Sequence, residues 1–442
     1  MSRDNSLPRR QLLRDGAWVG LGFAGTLGFK FVANVLLSRI LPPGAYGSYL
    51  LAMSIAVGAA TVARFGVDKA IVKSVSESIE LGDEARAASL LRMGLLLASV
   101  GGLVSAGLLL TGSAEIADFF ADPELGKEIY WVAAAVFLLS VQVTATESFR
   151  GLRRMAQAST LGPALSGLVI IIVLAFAWFN SVPLDLPDIL KLNATALCLS
   201  VLVASAALFF HQRTTKERSV GDWGGLVRLA FPLWVTGVLR YCADGADIWI
   251  LGHNVPNEEL AVYGAATRLA LLASIPLVLA NLVIAPRIAA HLASERIGAL
   301  QRELRGVAAA AAIPSLIAIA LFTGLGGSAL ALAFGSYYER GATLLVILSS
   351  ARMVEALTGS CGTVLMMGGQ QRAMMWIGGS CSVLSVGLSI LVAPTYGTTG
   401  VALSVGAGVV LTNLIAWGTA RRLLGVWTHP SLRQIGAVFE KR

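Results

Sequence analysis

Ser166-Gly167-Leu168-Val169-Ile170-Ile171-Ile172-Val173-Leu174-Ala175-Phe176-Ala177-Trp178-Phe179 contains no charged residue, and from Leu168 onward no polar side interrupts it. No helical or strand period therefore divides a core face from a water face. Trp131–Val143 and Leu199–Phe210 repeat the pattern, and short polar breaks separate such windows from Trp18 to Leu424. A helix needs about 20 apolar residues to cross a ~30 Å hydrocarbon layer. Of the 442 residues, 56% are hydrophobic and 14% charged, with a mean hydropathy of +0.73. Soluble domains lie near ~45–50% and ~25%. A soluble fold is excluded, and the chain is predicted to be an all-α integral membrane protein, because helices satisfy their own backbone groups in lipid.

Twelve helices are predicted: 17–39, 48–70, 86–112, 129–149, 158–180, 188–211, 226–251, 261–290, 307–334, 341–367, 373–394 and 398–420. Leu41-Pro42-Pro43-Gly44, Asn180 to Pro183 and Gly397 supply turn chemistry at three boundaries. The longest polar breaks are Gln212–Gly225 and Ala293–Arg305, the second with the composition of a surface helix. The amino terminus, with Arg3, Arg9, Arg10 and Arg14, leads into a stretch too long for a signal-peptide apolar region, so the first span is expected to remain.

The net charge of +8 does not form a basic patch interleaved with aromatics, which argues against a nucleic-acid partner. The cations sort by loop. Basic breaks precede Trp18 and surround Lys73–Arg86, Arg150–Arg154, Arg213–Arg218, Arg287–Arg305, Arg372 and Arg421–Arg442. The alternate breaks carry Asp118–Glu124, Asp185–Asp188 and Glu258–Glu259. About 22 of the 34 Lys and Arg lie on the first side and about four (Arg39, Lys127, Lys191, Arg340) on the second, so both termini are expected in the cytoplasm of a plasma-membrane protein. Cys198, Cys242, Cys361 and Cys381 lie in apolar segments without ligand spacing, and the four histidines are scattered, so neither a disulfide framework nor a metal site is predicted.

Two halves match at a spacing of about 214–217 residues. Ala45-Tyr46-Gly47 precedes the second span as Val262-Tyr263-Gly264 opens the eighth; Ala117-Asp118-Phe119-Phe120 and Ala331-Leu332-Ala333-Phe334 occupy equivalent breaks. The expected organisation is a six-helix lobe at 1–215 and a second at 216–442 with a cytoplasmic tail. An even number of spans per half relates the copies by an axis along the membrane normal, with cargo near the midplane.

Lys30, Arg64, Arg240, Arg268 and Arg352 lie inside apolar spans. A charge at the bilayer centre costs at least ~2.5–3.5 kcal/mol, so these five are candidates to line a cationic cavity for an anionic cargo. Three have an acid one turn later: Arg64 with Asp68, Arg240 with Asp244, Arg352 with Glu355. Such pairs equally serve to neutralise themselves for insertion. Lys30 and Arg268 lack such a partner, although Arg268, like Arg39 and Arg92, could snorkel to an interface. Arg240, Asp244 and Asp247 form one stripe after Pro232 and Gly237. Asp244, Asp247 and Glu355 are therefore candidates for sodium or proton coupling, or for holding the cations in place. Glu147, followed by Arg150, reads as an interfacial pair, and Pro232, Pro276 and Pro314 as bend positions. No G-x-x-x-x-G-K-S/T is present, so no nucleotide motor is predicted. Neither external catalytic loops nor filter repeats stand out, which disfavours an enzyme and a selective channel.

Leu37-Ser38-Arg39-Ile40-Leu41-Pro42-Pro43-Gly44-Ala45-Tyr46-Gly47 and Arg64-Phe65-Gly66-Val67-Asp68-Lys69-Ala70 resemble the oligosaccharide (polysaccharide) flippase family of the multidrug/oligosaccharidyl-lipid/polysaccharide exporter superfamily. Phe231-Pro232-Leu233, Asp244 to Asp247, Val262-Tyr263-Gly264-Ala265-Ala266 and Ala285-Pro286 extend the likeness over nearly the whole chain. The resemblance implies two six-helix lobes that alternate access and move polyprenyl-pyrophosphate-linked oligosaccharide to the outer leaflet for surface polysaccharide synthesis. It implies membrane lipids, a polysaccharide polymerase and glycosyltransferases as partners. It transfers no role to any of the five cations. A cation-coupled multidrug exporter of the same superfamily and a membrane glycosyltransferase are the alternatives.

Overall fold

Apolar composition without amphipathic period gives helices throughout. The computed structural model describes residues 25, 27–212, 223–294 and 296–434, and among them every regular element is helical. Eight described helices are long and apolar enough to cross a membrane, or ten when two bent pairs each count as a span. The 54-residue helix Gln371–Leu424 is counted once although Gly397 (φ 52°, ψ −138°) breaks it, and the first expected span is described only from residue 25. Twelve crossings are consistent with this. The protein is a multi-pass, all-α membrane protein.

The chain divides into two compact units, Met1–Gly245 and Ala246–Arg442. The expected boundary at 215/216 lies outside the described residues. Unit 1 begins with α1 (27–40), α2 (Pro43–Ala63), α3 (Val67–Glu80) and α4 (Glu84–Thr111). Short helices α5 (Ser113–Phe119) and α6 (Pro123–Lys127) fill the acidic break before α7 (Ile129–Gly151). Then come α8 (Met155–Ser159), a π-turn (Thr160–Ala164), α9 (Leu165–Phe179), α10 (Leu186–Gln212) and the start of α11 (Trp223–Asn254).

Helix α7 is the axis of unit 1, packing on α2, α3, α4 and α10. Its buried hydroxyls bond back one turn, as Ser140 Oγ does to the Val136 carbonyl (2.7 Å) and Thr144 to that of Ser140 (2.8 Å), so polar atoms enter the membrane satisfied. Gln142 Nε2 donates to Ser200 Oγ (2.8 Å) and Ser166 Oγ (3.2 Å). Ser200 in turn donates to the Leu161 carbonyl (2.8 Å) beside Pro163, whose missing N–H opens the π-turn.

Unit 2 contains α12 (Asn257–Leu272), α13 (Ile275–Ala293), α14 (Ile297–Phe334), α15 (Ala342–Thr358), α16 (Cys361–Met367) and α17 (Gln371–Leu424). Helices α12 and α13 meet at a 46° bend. Pro276 lies in the first turn of α13, where its missing N–H costs nothing, so this expected bend falls where the sequence puts it. The expected surface helix near Ala293–Arg305 is instead the first turns of α14, continuous with the ninth span. Gln301 and Arg305 give these first turns a packing role. Gln301 Oε1 accepts from Trp427 N (3.0 Å), and Arg305 reaches the His429 carbonyl, fastening the segment after α17 beneath the unit.

Candidate functional site

The expected second span, 48–70, stops early. Helix α2 runs for 21 residues, about 32 Å at 1.5 Å per residue, and so crosses the layer by Ala63. Phe65 (φ 48°) and Gly66 (φ 71°) then turn the chain into α3. Arg64 thus lies at the basic end, where Nε stands 3.7 Å from Asp68 Oδ2 and Nη2 donates to Thr61 Oγ1 (3.0 Å). The expected pair exists, yet it bridges a non-helical corner instead of one helical turn. A Cβ on Gly66 would come within 2.4 Å of the Ala230 carbonyl and 2.6 Å of Trp234 N. The corner therefore requires glycine on steric as well as conformational grounds. Trp234 Nε1 caps it by donating to the Val62 carbonyl (3.0 Å).

Lys30, exposed, lies ten residues before the end of α1 at Ile40; helical rise places it about 15 Å from the acidic end, near mid-layer. Arg268, eleven residues into α12, and Arg352, ten into α15, lie at the same depth along their own helices, about 15–17 Å from the acidic ends. Arg240 is exposed on α11, and the Asp244 side chain lies outside the described residues.

Within unit 2 several of the sequence candidates converge. Arg352 Nη1 lies 3.1 Å from Glu355 Oε2, with 26% and 24% of the side chains exposed, as the i,i+3 spacing predicts. The same Oε2 accepts from Ser274 Oγ (3.1 Å), which stands in the α12/α13 bend. Asp247 Oδ2 accepts from the fully buried Tyr263 hydroxyl (2.7 Å), and its Oδ1 from Ile248 N (2.9 Å). Asp247 lies in the field of Arg268, and Tyr263 in that of Arg352. Arg268 Nη1 also donates to the Gly264 carbonyl (3.3 Å). Two cations and two carboxylates thus meet at and beyond mid-depth in one unit. Chemically, such an arrangement is able to exchange internal pairs for contacts to a charged ligand, since each Arg offers a planar fork.

Sequence reasoning missed the role of the two repeated tyrosines. Tyr46, fully buried in unit 1, donates to Asn34 Oδ1 (3.0 Å) as Tyr263 does to Asp247. Each locks the second helix of its half to the helix before it. The repeated Tyr-Gly was the visible signal; the partner 12 or 16 residues earlier was not. At the basic end, Glu147 receives Lys69 Nζ (2.9 Å) and Arg150 Nη1 (2.8 Å), extending the expected Glu147–Arg150 pair, while Glu303 in unit 2 receives Arg287 and His291 Nε2 (3.0 Å). Among the described residues no group of three or more His, Cys, Asp or Glu is placed to hold a metal ion.

Three solved structures share this architecture. An inward-facing multidrug resistance MATE family transporter of the MOP superfamily superposes with a TM-score of 0.75 at 13% identity, covering 95% of this chain and 96% of that one. A MOP superfamily transporter from Pyrococcus furiosus, described as having a binding pocket of reversed polarity, gives 0.64 at 13% identity over 97% and 96%. The lipid II flippase MurJ in an inward closed conformation gives 0.63 at 13% identity over 95% and 90%. At these identities the likeness establishes the fold, that of MOP superfamily transporters. No curated protein matches the sequence. The profile of the family described as "Polysaccharide biosynthesis protein" matches residues 12–291, well over half of the chain, and the protein belongs to that family.

Proposed function

We propose that the protein is a flippase that moves polyprenyl-pyrophosphate-linked oligosaccharide from the inner to the outer leaflet of the plasma membrane, for surface polysaccharide synthesis. What supports this reading is that Lys30, Arg268 and Arg352 each lie ten or eleven residues from one end of their own apolar helices, in a member of a polysaccharide biosynthesis family. A diphosphate leaving water needs cationic hydrogen-bond donors, and Arg matches its oxygens. Arg64 and Arg240 complete the substrate-binding set in this proposal, with Arg64 meeting the head group at the basic end. Moving negative charge outward against an inside-negative potential is favourable by ~2.3 kcal/mol per charge per 100 mV, so ATP hydrolysis is not required. Asp244, Asp247 and Glu355 are the proposed positions for any proton or sodium coupling. Both termini are placed in the cytoplasm on the loop-charge bias, and a polymerase and glycosyltransferases are the proposed partners.

The test is to delete the gene and quantify lipid-linked oligosaccharides together with surface polymer. Accumulation of a complete lipid-linked unit with loss of polymer supports the flippase; a truncated glycan indicates an enzyme. A second reading, a cation-coupled multidrug exporter, draws on the Arg352–Glu355 ion pair and on Asp247 lying in the field of Arg268, which set two carboxylates against two cations in unit 2. Unchanged glycan pools with drug sensitivity of the deletion strain would favour it.

A further inference from the structure

Three aromatic rings converge at the basic end of unit 1. Phe65 lies 5.0 Å from Trp234 and 6.0 Å from Phe231, and Phe231 lies 6.0 Å from Trp234, all centroid to centroid with tilts of 31–46°. Phe65 and Phe231 are exposed. Arg228, one turn before Phe231 on α11, is exposed and makes no ion pair among the described residues. We propose that Phe65, Phe231, Trp234 and Arg228 form a reception site for the sugar–phosphate head of the cargo, the rings taking the C–H face of a pyranose and Arg228 a phosphate oxygen. This rests on the flippase reading and gives its substrate a place on unit 1.

The chemistry is complementary. One face of a pyranose is a sheet of weakly positive C–H groups, which the negative face of an aromatic ring attracts, while the phosphate is anionic and matches a guanidinium. The backbone is fixed as well. Phe65 takes φ 48°, the left-handed turn with which Ala121, Arg153 and Ser181 also end their helices. The corner that enforces it is fixed by Gly66 against Ala230 and by the Arg64–Asp68 pair.

A belt of aromatics anchoring the protein to lipid head groups is the plainer account, and one observation opposes it. Interfacial Trp works by offering its N–H at head-group level, whereas the Trp234 N–H is committed to the Val62 carbonyl, leaving only ring faces to offer.

The test separates ring chemistry from apolar bulk. In a deletion strain, wild type, Phe231→Leu, Phe231→Tyr, Arg228→Gln and Arg228→Lys are compared for membrane protein level, lipid-linked oligosaccharide pool and surface polymer. Phe231→Leu keeps the apolar volume and is expected to lower export about tenfold, the size of one lost stacking contact, while Phe231→Tyr retains it. Arg228→Gln, which disturbs no packing, is expected to fall similarly, with Arg228→Lys partly rescuing it. Wild-type export by both Phe231→Leu and Arg228→Gln at normal protein levels overturns the site. Failure of the wild-type gene to restore export is a different result, which removes the flippase reading and with it the cargo assigned to these rings.

Discussion

In unit 1 the break between α2 and α3 is a left-handed corner at Phe65–Gly66 clamped by backbone contacts, whereas in unit 2 the break between α12 and α13 passes through Ser274 (φ −87°, ψ −18°) in an ordinary right-handed conformation. The first is held by shape: Gly66 against Ala230, Gly101 against the Ala63 carbonyl, Trp234 over Val62. The second is held by a polar chain from Ser274 through Glu355 to Arg352. The acidic ends differ in the same sense, since Tyr46 meets the neutral Asn34 and Tyr263 the carboxylate of Asp247. At the two breaks a repeated helical plan is thus held mainly by shape in unit 1, with the single Arg64–Asp68 pair beside it, and by hydrogen-bonded charge in unit 2. The Ser274–Glu355–Arg352 chain is the kind of link that can respond to a charged ligand by exchanging partners.

The comparison breaks most visibly at Gly66. Gly66→Val drives a Cβ into backbone atoms at positive φ, and a loss of more than about 3 kcal/mol is expected, read as failure to accumulate in the membrane. Ser274→Ala, at the matching break, removes one hydrogen bond and is expected to cost only about 1 kcal/mol. Equal effects of the two on thermal stability would end the distinction.

Arg352→Leu strands Glu355 and is expected to cost about 1–2 kcal/mol, less than the ~3–5 of a fully buried pair because a quarter of each side chain is exposed. The double replacement Arg352→Leu with Glu355→Leu should recover that stability but not export. Recovery of both in a vesicle or cell-based export assay would reduce the pair to a packing device.

Tyrosine-to-phenylalanine changes sharpen the neutral-versus-charged contrast. Tyr263→Phe deletes a bond to a carboxylate and is expected to cost about 1.5–3 kcal/mol, against about 0.5–1.5 for Tyr46→Phe, whose partner is neutral. Unfolding midpoints of the purified variants in one detergent would show whether the order holds.

The smallest expected effect lies at the carboxyl-terminal segment. Burial, and then the Arg305 charge, hold the His429 pKa below the usual imidazole value, and Nδ1 has no partner among the described residues. The folded state therefore prefers neutral His429, so its contribution is intact above the ordinary histidine pKa of ~6.5 and is lost as pH falls through the lowered value. Melting temperature between pH 7 and pH 5 should decline less steeply in His429→Gln than in wild type; parallel slopes would exclude this group.

Legibility followed the range of the interaction. Arg352–Glu355 was visible because both residues share one helix and a spacing of three residues fixes their distance. Arg64–Asp68 was read correctly as a pair and incorrectly as helical, because nothing local announces that Gly66 will stand against Ala230, 164 residues later in the chain. The partners of Trp234, Ser274 and Tyr263 escaped notice for the same reason: the polar group each satisfies belongs to another helix.

Composition and period alone determined that this chain is a multi-pass helical membrane protein whose polar breaks alternate between basic and acidic. Those properties arise from residue-by-residue transfer energies and from the 3.6-residue turn, which act within one segment. Tertiary structure decided where the second helix of each half breaks, that Lys69 joins Arg150 on Glu147, and which polar group each tyrosine meets. A polar side chain in lipid must find its partner wherever packing brings one, and that choice is made between helices.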